Sequence, residues 1–486
     1  FLASGVTGSV TYDPATQTAT FIPSGALASS TLYTATVTTG AKDLAGNGLV
    51  SNYQWSFTTL QSSHTITATA GSNGAITPAG GVVVGTGADQ TFTIIPNGGY
   101  VVRSVLIDGI PVGPIATYTF TSVTADHTIA ATFSPTGAAG TLDTAFNGTG
   151  IMTRSYADYS QLNELLVNPD GSVIAVGYTA AFTNQTLAAR YHPDGSPDTT
   201  FGTNGVALIG PGELSNASAL QPDGRIIVAG SDNGNAMVRR LNADGVIDTS
   251  FGVGGQAIYN TSANFYDQFM SVAFQPGGKI VAAGISDGAG TEDILVVRLN
   301  SDGTPDTSFG TSGIFIFNGP SDGNDEAKHV LVQPDGKILL AGHIANAQST
   351  AEAMVMRLTA TGARDASFGT NGIAIYTGLY STFTSLALGA DGTIIAAGYS
   401  NAGAVLARLN SNGSFDTTFG TNGIMVRPHV YAGSFEVVNA MAVQPDGRIV
   451  AGGDFTVFNQ TAALRVVRLN TDGSTDATFA SANAFN

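Results

Sequence analysis

The chain has 486 residues, enough for more than one domain, because one hydrophobic core usually serves roughly 100 to 200 residues. Its net charge of −17, with only four lysines, excludes nucleic acid as a partner, since phosphates would be repelled. Cysteine is absent, which excludes disulfides and thiolate metal sites. High glycine and only 11% charged residues are typical of exported bacterial proteins, and no apolar run approaches the roughly 20 residues that span a bilayer.

Residues 1–60 are predicted to form a first all-β domain, because SVTYD, TATFIP and TLYTATVTT alternate with period 2. The stretch from VTGSVTYD to AKDLAGN, closed by WSFTT, resembles a bacterial Ig-like domain of surface proteins. That resemblance implies a sandwich of about 100 residues. The chain starts at Phe1 and not at Met, so we expect a fragment or a processed product whose early strands lie upstream.

A sandwich without its early strands leaves apolar side chains uncovered, and such an edge accepts a strand from elsewhere. The residues expected to be uncovered are Val10, Tyr12, Thr20, Phe21 and Ile22. Upstream residues, a neighbouring subunit or the second domain could cover them. A neighbouring subunit would make the protein a fibre subunit, because a head-to-tail contact that does not close generates a filament.

Residues 61–136 also alternate with period 2, as in HTITATA and HTIAATF, and are predicted to be a second β domain. The segment from HTITATAGSNGAITPAGG to HTIAATF resembles the InlB-type repeat modules of bacterial surface proteins. Such a module implies a spacer or an adhesive stalk and no reaction.

Residues 137–486 repeat with a long period, marked by the aspartate of D-x-[ST]-F and its variants. The intervals between markers are 55, 50, 58, 59, 51 and 60 residues, and the markers are Asp143, Asp198, Asp248, Asp306, Asp365, Asp416 and Asp476. After each marker the pattern predicts four short antiparallel strands, with a Pro-Asp-Gly type turn between the second and the third. Six such repeats predict a β-propeller, with six blades favoured and seven possible.

An arginine precedes each of six markers by eight residues. Folding the chain at the glycine between them predicts a cross-strand ion pair in every blade, and the phenylalanine that follows is predicted to pack between blades. Six equal sites are typical of a scaffold, since enzymes build one asymmetric site. The pairs are Arg190 with Asp198, Arg240 with Asp248, Arg298 with Asp306, Arg357 with Asp365, Arg408 with Asp416, and Arg468 with Asp476.

The motifs VQPDGKI-x-x-AG, RLN-x-DG and D-x-SFG-x-x-G resemble the delta-60 repeat of bacterial exported proteins. The resemblance covers about 340 residues and implies a propeller at the cell surface or outside the cell, with no catalytic residues to carry over. The segments at 141–150 and 474–486 occupy the same repeat phase. We therefore expect the two ends of the repeat region to close the ring.

Two sets of residues are candidates for ligand binding. The acidic cluster Asp322, Asn324, Asp325 and Glu326 could hold calcium, although a solvated loop is the simpler interpretation and no other cofactor is predicted. Loops between repeated strands carry aromatic residues that could stack on glycans or bind a protein, unless they are core residues at strand ends. The tyrosines among them are Tyr156, Tyr159, Tyr259, Tyr266, Tyr376, Tyr380 and Tyr431.

Two functions remain open from the sequence. The favoured one is a non-enzymatic, extracellular structural or adhesive protein of a bacterial surface, whose partners are other surface proteins, glycans or copies of itself. The alternative is a carbohydrate-active or lyase-type propeller enzyme, which would need acids, arginine or histidine grouped on one face. Polar, unequal residues at the centre of the propeller would favour the enzyme.

Overall fold

A computed structural model describes the chain except for residues 1, 4–5, 29–30, 44, 60–62, 99, 114, 136–140, 144–145, 157–158, 169, 181–183, 262–265, 288–290, 322, 430–435, 456, 459–460, 463–464 and 480–486. The regular elements of the described residues are all β-strands. No helix long and apolar enough to cross a membrane occurs among these residues. Residues Phe1–Pro135 and Thr136–Asn486 form two compact units.

Residues 2–59 of the first unit form a small three-stranded sheet, in the order β1-β4-β5, and a separate hairpin, β2-β3. The strands are β1 (Leu2–Ala3), β2 (Gly8–Asp13), β3 (Thr18–Pro23), β4 (Leu32–Val37) and β5 (Tyr53–Thr58). Val10, Tyr12, Thr20 and Ile22 are exposed, as predicted, and Phe21 is half-buried. An apolar groove of about 450 Å³ lies between β3 and the β4-β5 pair.

Residues 63–135 form two sheets that enclose a core containing Ile66, Phe92 and Ile129. A five-stranded sheet has the order β11-β10-β13-β6-β8, with β13 parallel to β6, and a three-stranded sheet has the order β12-β9-β7. The strands are β6 (Ser63–Ala70), β7 (Gly74–Thr77), β8 (Gly80–Gly85), β9 (Gln90–Pro96), β10 (Tyr100–Ile107), β11 (Ile110–Gly113), β12 (Thr117–Phe120) and β13 (His127–Pro135). The resemblance to an InlB-type module stays a prediction.

The second unit contains six consecutive antiparallel sheets, the number predicted from the repeats. Sheet 1 is β14 (Tyr159–Val167), β15 (Val173–Ala180), β16 (Asn184–Tyr191) and β17 (Val206–Ile209). Sheet 2 is β18 (Glu213–Leu220), β19 (Ile226–Asp232), β20 (Asn235–Leu241) and β21 (Gln256–Tyr259). Sheet 3 is β22 (Gln268–Gln275), β23 (Lys279–Asp287), β24 (Glu292–Leu299) and β25 (Ile314–Phe317).

The last three sheets follow the same plan with one departure. Sheet 4 is β26 (Glu326–Val332), β27 (Ile338–Ala345), β28 (Ala351–Leu358) and β29 (Ile373–Tyr376), and sheet 5 is β30 (Thr382–Leu388), β31 (Ile394–Ser400), β32 (Gly403–Leu409) and β33 (Ile424–Pro428). Sheet 6 has three described strands, β34 (Val437–Val443), β35 (Ile449–Asp454) and β38 (Val466–Leu469). A short hairpin of β36 (Val457–Phe458) and β37 (Thr461–Ala462) precedes β38.

The structure corrects the phase of the predicted repeat. We expected the strand after each marker to begin a blade, but it closes the preceding sheet: β17, which follows Asp198, pairs with β16. The physical reason is that the marker segment is a compact turn, which returns the chain beside the strand it has just left. The variable loop after β17 then leads to the next sheet.

Each sheet packs face to face on the next one in the chain, and their apolar residues form shared cores. Every sheet consequently has two distinct ends. We call the end that carries the Pro-Asp-Gly type turn and the Arg and Asp markers the turn end. The opposite end, where the first strand begins and the second and third strands are joined, is the loop end.

Candidate functional site

The repeated charges all lie at the turn end. In each sheet the arginine Nε lies 2.7 or 2.8 Å from Oδ2 of the aspartate eight residues later, so all six predicted pairs form. The other aspartate oxygen accepts hydrogen bonds from the backbone N–H and the hydroxyl two residues on, as Asp248 does from Ser250 at 3.1 and 2.6 Å. The aspartate thus fixes its own turn and the arginine together.

The same residues join each sheet to the next. Arg240 donates from Nη1 to the carbonyl of Ser301 in the following repeat at 2.5 Å. The Phe251 ring lies 4.7 Å from the Arg240 guanidinium carbon and leaves no room for a side chain at Gly303. Equivalent inter-repeat donors are Arg190, Arg298, Arg357 and Arg408. The prediction that the phenylalanines pack between blades is confirmed.

These contacts stabilise the ionised aspartates. The hydroxyl and N–H of Thr478 lower the pKa of Asp476 to about 2, with Arg468 adding to the effect. Hydroxyl donors lower the pKa of Asp198, Asp248 and Asp416 in the same way. These aspartates therefore stay ionised near neutral pH, as ion pairs with the arginines require.

A second cation at the turn end was missed from the sequence. Arg225, Lys279, Lys337 and Arg448 follow the Pro-Asp-Gly type turn and approach the marker aspartate of their own repeat. The Lys337 Nζ, for example, lies 3.2 Å from Asp365. The basic residue in the repeated motif G-[KR]-I could have suggested this second cation. Only the fold shows that the turn carrying it lies beside the marker aspartate.

Buried acceptors fix the loops at the opposite, loop end. Asp267 accepts the N–H of Thr261 at 2.7 Å and that of Asp287 at 3.1 Å. Asp325, at the equivalent position of sheet 4, accepts the N–H groups of Gly319 and Ala345. Each carboxylate therefore ties the incoming loop to the second strand of its sheet.

The residues of the predicted calcium cluster have partners within the protein, and calcium binding there stays a prediction. Both carboxylate oxygens of Asp325 accept hydrogen bonds from backbone N–H groups. The side-chain amide of Asn324 donates to the Glu292 carboxylate at 3.1 Å, and the Lys328 Nζ lies 2.6 Å from the Glu326 carboxylate. Asp322 lies outside the described residues. No group of three or more histidine or acidic residues able to hold a metal occurs in the part of the chain that the structure describes.

Three of the predicted tyrosines occupy equivalent positions at the loop end. Tyr159, Tyr266 and Tyr380 each lie three residues before the residue that pairs with the glycine of the second strand, in sheets 1, 3 and 5. Their side chains are 52%, 38% and 61% exposed. Tyr159 also donates to Gln161 at 2.8 Å, and Tyr266 lies 3.2 Å from the hydroxyl of Ser231.

The remaining predicted tyrosines do not belong to this exposed set. Tyr259 is a core residue of sheet 2, packed edge-on against Phe269, and Tyr376 is half-buried against Phe383. Tyr156 is half-buried and hydrogen-bonded to Tyr191. They lie at strand ends or in loops where the neighbouring sheet covers them. Tyr431 lies outside the described residues.

Sheets 3 and 4 bring ionisable residues together at the loop end, beside a threonine of sheet 5. Glu326 and His343 stand side by side on sheet 4 with 3.7 Å between the Glu326 carboxylate and the His343 Nδ1, and Thr382 of sheet 5 lies 3.1 Å from the same nitrogen. Glu292 of sheet 3 completes the set. We call Glu292, Glu326, Lys328 and His343 the loop-end cluster.

The loop-end cluster has perturbed ionisation. Burial and the neighbouring Glu326 raise the pKa of Glu292 to about 7. The Lys328 ammonium offsets burial and holds the pKa of Glu326 below its usual value, while burial lowers the pKa of His343. Glu292 can therefore titrate near neutral pH beside an ionised Glu326. This set was not predicted from the sequence because Glu292 comes from sheet 3 and the other members from sheet 4.

Comparison with protein families identifies the two kinds of module. The model described as "Domain of unknown function (DUF5122) beta-propeller" matches residues 168–201, 221–251, 275–309, 333–368, 389–419 and 444–479. Each match begins near the Pro-Asp-Gly type turn and ends at the marker. A bacterial Ig-like domain model matches residues 2–59.

Among solved structures, the chain is similar to a virginiamycin B lyase from Staphylococcus aureus, with 14% identity, a TM-score of 0.39, and coverage of 64% of this chain and 82% of that one. A protein of unknown function from Bacteroides caccae has 12% identity, a TM-score of 0.34, and coverage of 62% and 92%. A glucose dehydrogenase has 10% identity, a TM-score of 0.33, and coverage of 61% and 96%. These likenesses are too distant to indicate an activity. A comparison with curated proteins finds no match.

Proposed function

We propose that this chain, whose residues 168–479 belong to the DUF5122 beta-propeller family, is a non-enzymatic binding protein of the bacterial surface or extracellular space. The observation that carries the proposal is the division between the two ends of the sheets. The recurring charges at the turn end serve the scaffold, whereas the loop end exposes tyrosines at equivalent positions of sheets 1, 3 and 5. The bacterial Ig-like domain is consistent with that location.

Glycans are the ligand class that fits these tyrosines best. An exposed tyrosine offers a flat apolar face for a sugar ring together with a hydroxyl for hydrogen bonding. Gln161 beside Tyr159 and Ser231 beside Tyr266 add further polar groups. The regular elements described for residues 1–135 are all β-strands, and we propose that these residues act as a spacer that carries the repeat unit.

The experiment is a glycan array with a triple variant, Tyr159→Ala, Tyr266→Ala and Tyr380→Ala. We expect the glycans bound by the wild type to lose at least about tenfold in affinity, because the three substitutions together remove every aromatic face proposed to contact the sugar. The matched control is Val253→Ala, which removes an exposed apolar side chain from the turn end and leaves binding unchanged. Equal binding by the triple variant, or no glycan bound by the wild type, contradicts the proposal.

The loop-end cluster favours a second candidate, a carbohydrate-active or lyase-type enzyme. Lys328 stands at the β-bulge between Ala327 and His329, where the other sheets carry Asn163, Asn216, Met270, Thr384 and Asn439. Five of these six residues are polar and they differ between sheets, which supports the enzyme interpretation. Incubation with polysaccharides, followed by an assay for new reducing ends or unsaturated sugars, tests this candidate. If the wild type forms product and the variants Glu292→Gln and Glu326→Gln do not, the protein is an enzyme and the binding proposal is wrong.

We also propose that copies of the chain associate through residues 2–59. Among the described residues, Leu2–Ala3 of β1 pairs with Thr36 and Ala35 of β4, and no other described residue pairs with that edge of β4. The groove beside it is lined by Phe21, Tyr33, Trp55 and Phe57. An extended segment could pair with β4 and cover the groove.

Trp55 reports this event directly, because it is the chain's single tryptophan and is 39% exposed in the groove. If copies exchange strands, its fluorescence shifts to shorter wavelength as protein concentration rises. Thr34→Pro, which removes a backbone donor of β4, should abolish the shift while the repeat unit stays folded. A spectrum independent of concentration would mean that copies of the chain do not use this groove.

A further inference from the structure

Sheet 1 carries a second tyrosine beside Tyr159, at a position that no sequence motif marks. Tyr178 of β15 pairs across the strands with Gln161 of β14. The Tyr159 and Tyr178 ring centroids lie 6.0 Å apart, with the ring planes tilted by 42°. Tyr159 and Gln161 are exposed, and Tyr178 is partly exposed. Two aromatic rings and an amide therefore stand together at the loop end of one sheet.

A chain of hydrogen bonds links these residues to sheet 2, and its far end fixes the direction of every link. The backbone carbonyl of Ser215 can only accept, so the Asn163 atom that lies 2.7 Å from it is the amide nitrogen. The amide oxygen of Asn163 therefore accepts from Nε2 of Gln161 at 2.8 Å. This leaves Oε1 of Gln161 facing the hydroxyls of Tyr159 and Tyr178, at 2.8 and 3.2 Å.

Both tyrosine hydroxyls consequently donate to the Gln161 amide oxygen, because an amide oxygen accepts and cannot donate. Each phenol oxygen has then used its one proton and keeps lone pairs with which it can accept. Burial and the neighbouring Tyr159 also raise the pKa of Tyr178, so this phenol stays protonated at neutral pH. The two hydroxyls therefore offer a ligand two acceptors and no donor.

This arrangement is particular to sheet 1 among the described sheets. In sheets 2 to 6 the residues at the positions of Gln161 and Tyr178 are Leu214 and Ser231, Gln268 and Ile285, Glu326 and His343, Thr382 and Tyr399, and Val437 and Asp454. Sheet 2, which packs on sheet 1, has Gly212 at the position of Tyr159 and adds no side chain there. The packing of sheets does not require this chain of hydrogen bonds, because the other sheets pack without it.

We propose that Tyr159, Tyr178 and Gln161 form a sugar subsite in which Tyr178 determines specificity by selecting a neutral pyranose that donates two neighbouring hydroxyl protons. The inference rests on the proposed glycan binding and adds a residue and a hydrogen-bond direction to it. Tyr159 supplies the apolar face, and the two phenol oxygens accept from adjacent O–H groups of the sugar. A sugar carboxylate or phosphate would meet acceptors only, in a chain of net charge −17, so acidic sugars are disfavoured.

Deoxyfluoro sugars test the direction of these hydrogen bonds, because fluorine replaces a hydroxyl but donates no proton. The probes are the methyl pyranosides of glucose, galactose and mannose with their deoxyfluoro analogues, titrated against the full chain by ligand-observed NMR. We expect fluorination at either of two adjacent positions to weaken binding about three- to tenfold. Tyr178→Phe, which keeps the ring, should weaken the parent sugar by a similar factor and make one of those fluorinations harmless. The matched control is Tyr12→Phe, at an exposed tyrosine of residues 2–59, which should leave binding unchanged.

Gln161→Leu supplies a readout that a merely structural role would not change. Without the amide oxygen the tyrosine hydroxyls are free to donate, so the preference for hydroxyl over fluorine should shrink to less than about twofold. An unchanged preference in Gln161→Leu, or wild-type affinity in Tyr178→Phe, would overturn the inference and leave the glycan proposal standing. If none of these sugars binds, the inference is also wrong, and the glycan proposal fails with it only if the wild type binds nothing on the glycan array.

Discussion

At the turn end the sheets repeat the same contacts, whereas at the loop end they differ in the residues they present. Arg240, Asp248 and Phe251 have equivalents in each repeat, and all of them are buried or half-buried in pairs and stacks. Tyr266, Asn324 and Tyr380 stand at one equivalent loop-end position in three successive sheets and are unlike one another in environment. The repeated turn-end contacts hold the sheets together. The loop-end residues differ from sheet to sheet, and they form the surface that we propose for ligand binding.

The largest expected effect comes from breaking one turn-end pair. Arg298→Ala removes one of the two cations beside the buried Asp306, since Lys279 stays, and it also removes the stack on Phe309, so we expect a loss of about 2 kcal/mol in unfolding free energy. The matched control is Arg465→Ala, whose pair with Asp454 is mostly exposed and should contribute less than about 1 kcal/mol. Chemical denaturation measures both. Similar losses for the two variants would remove the distinction between scaffold and surface pairs.

The second largest effect should be a loss of stability at acid pH that comes from the aspartates of the turn end. Because the folded pKa of Asp476 is lowered to about 2 from an ordinary 3.8, its contribution to stability is complete above pH 3.8 and is lost as pH falls towards about 2. The melting temperature should therefore drop across this range. Asp476→Asn should be less stable at neutral pH and flatter in acid. An unchanged acid slope in Asp476→Asn would show that the aspartate is not stabilised by Thr478 and Arg468.

The loop end should respond to pH with the opposite sign. The pKa of Glu292 is raised to about 7, so its protonated form favours the fold, and stability is lost as pH rises from the unfolded value of 4.5 through 7. Glu292→Gln should remove this slope and raise stability at pH 8 by about 1 kcal/mol or less, since the side chain is partly exposed. Glu352→Gln is the control, an acid of sheet 4 outside the loop-end cluster. A slope that persists in Glu292→Gln contradicts the interpretation.

The second cations of the turn end should have the smallest effect. Lys337→Ala removes a partly exposed contact with Asp365 and should cost about 0.5 kcal/mol. Sheet 5 has Thr393 at the equivalent position and supplies a natural comparison. Thr393→Lys should therefore be neutral or slightly stabilising. A loss from Lys337→Ala as large as that from Arg298→Ala would make the lysine part of the primary pair.

Several features were predictable because they depend on short-range pattern. The interval of 50 to 60 residues, the turns before each third strand and the eight-residue spacing of arginine and aspartate predicted a propeller-type repeat, its six sheets and all six ion pairs. Alternation with period 2 likewise predicted the β-structure of residues 1–135. In each case the interacting residues are close in sequence, so the chain need only turn back on itself.

Features that join distant repeats were decided by the tertiary structure. Glu292, Glu326 and Thr382 come from three sheets, and nothing in their local sequence places them together. The acidity of the Asp325 segment likewise does not show that the backbone N–H groups of Gly319 and Ala345 donate to its carboxylate. Tyr159, Tyr266 and Tyr380 could be aligned only once the strand register was known. A repeated sequence determines the repeated contacts, and only the packing of one sheet on another determines which of the unrepeated side chains meet.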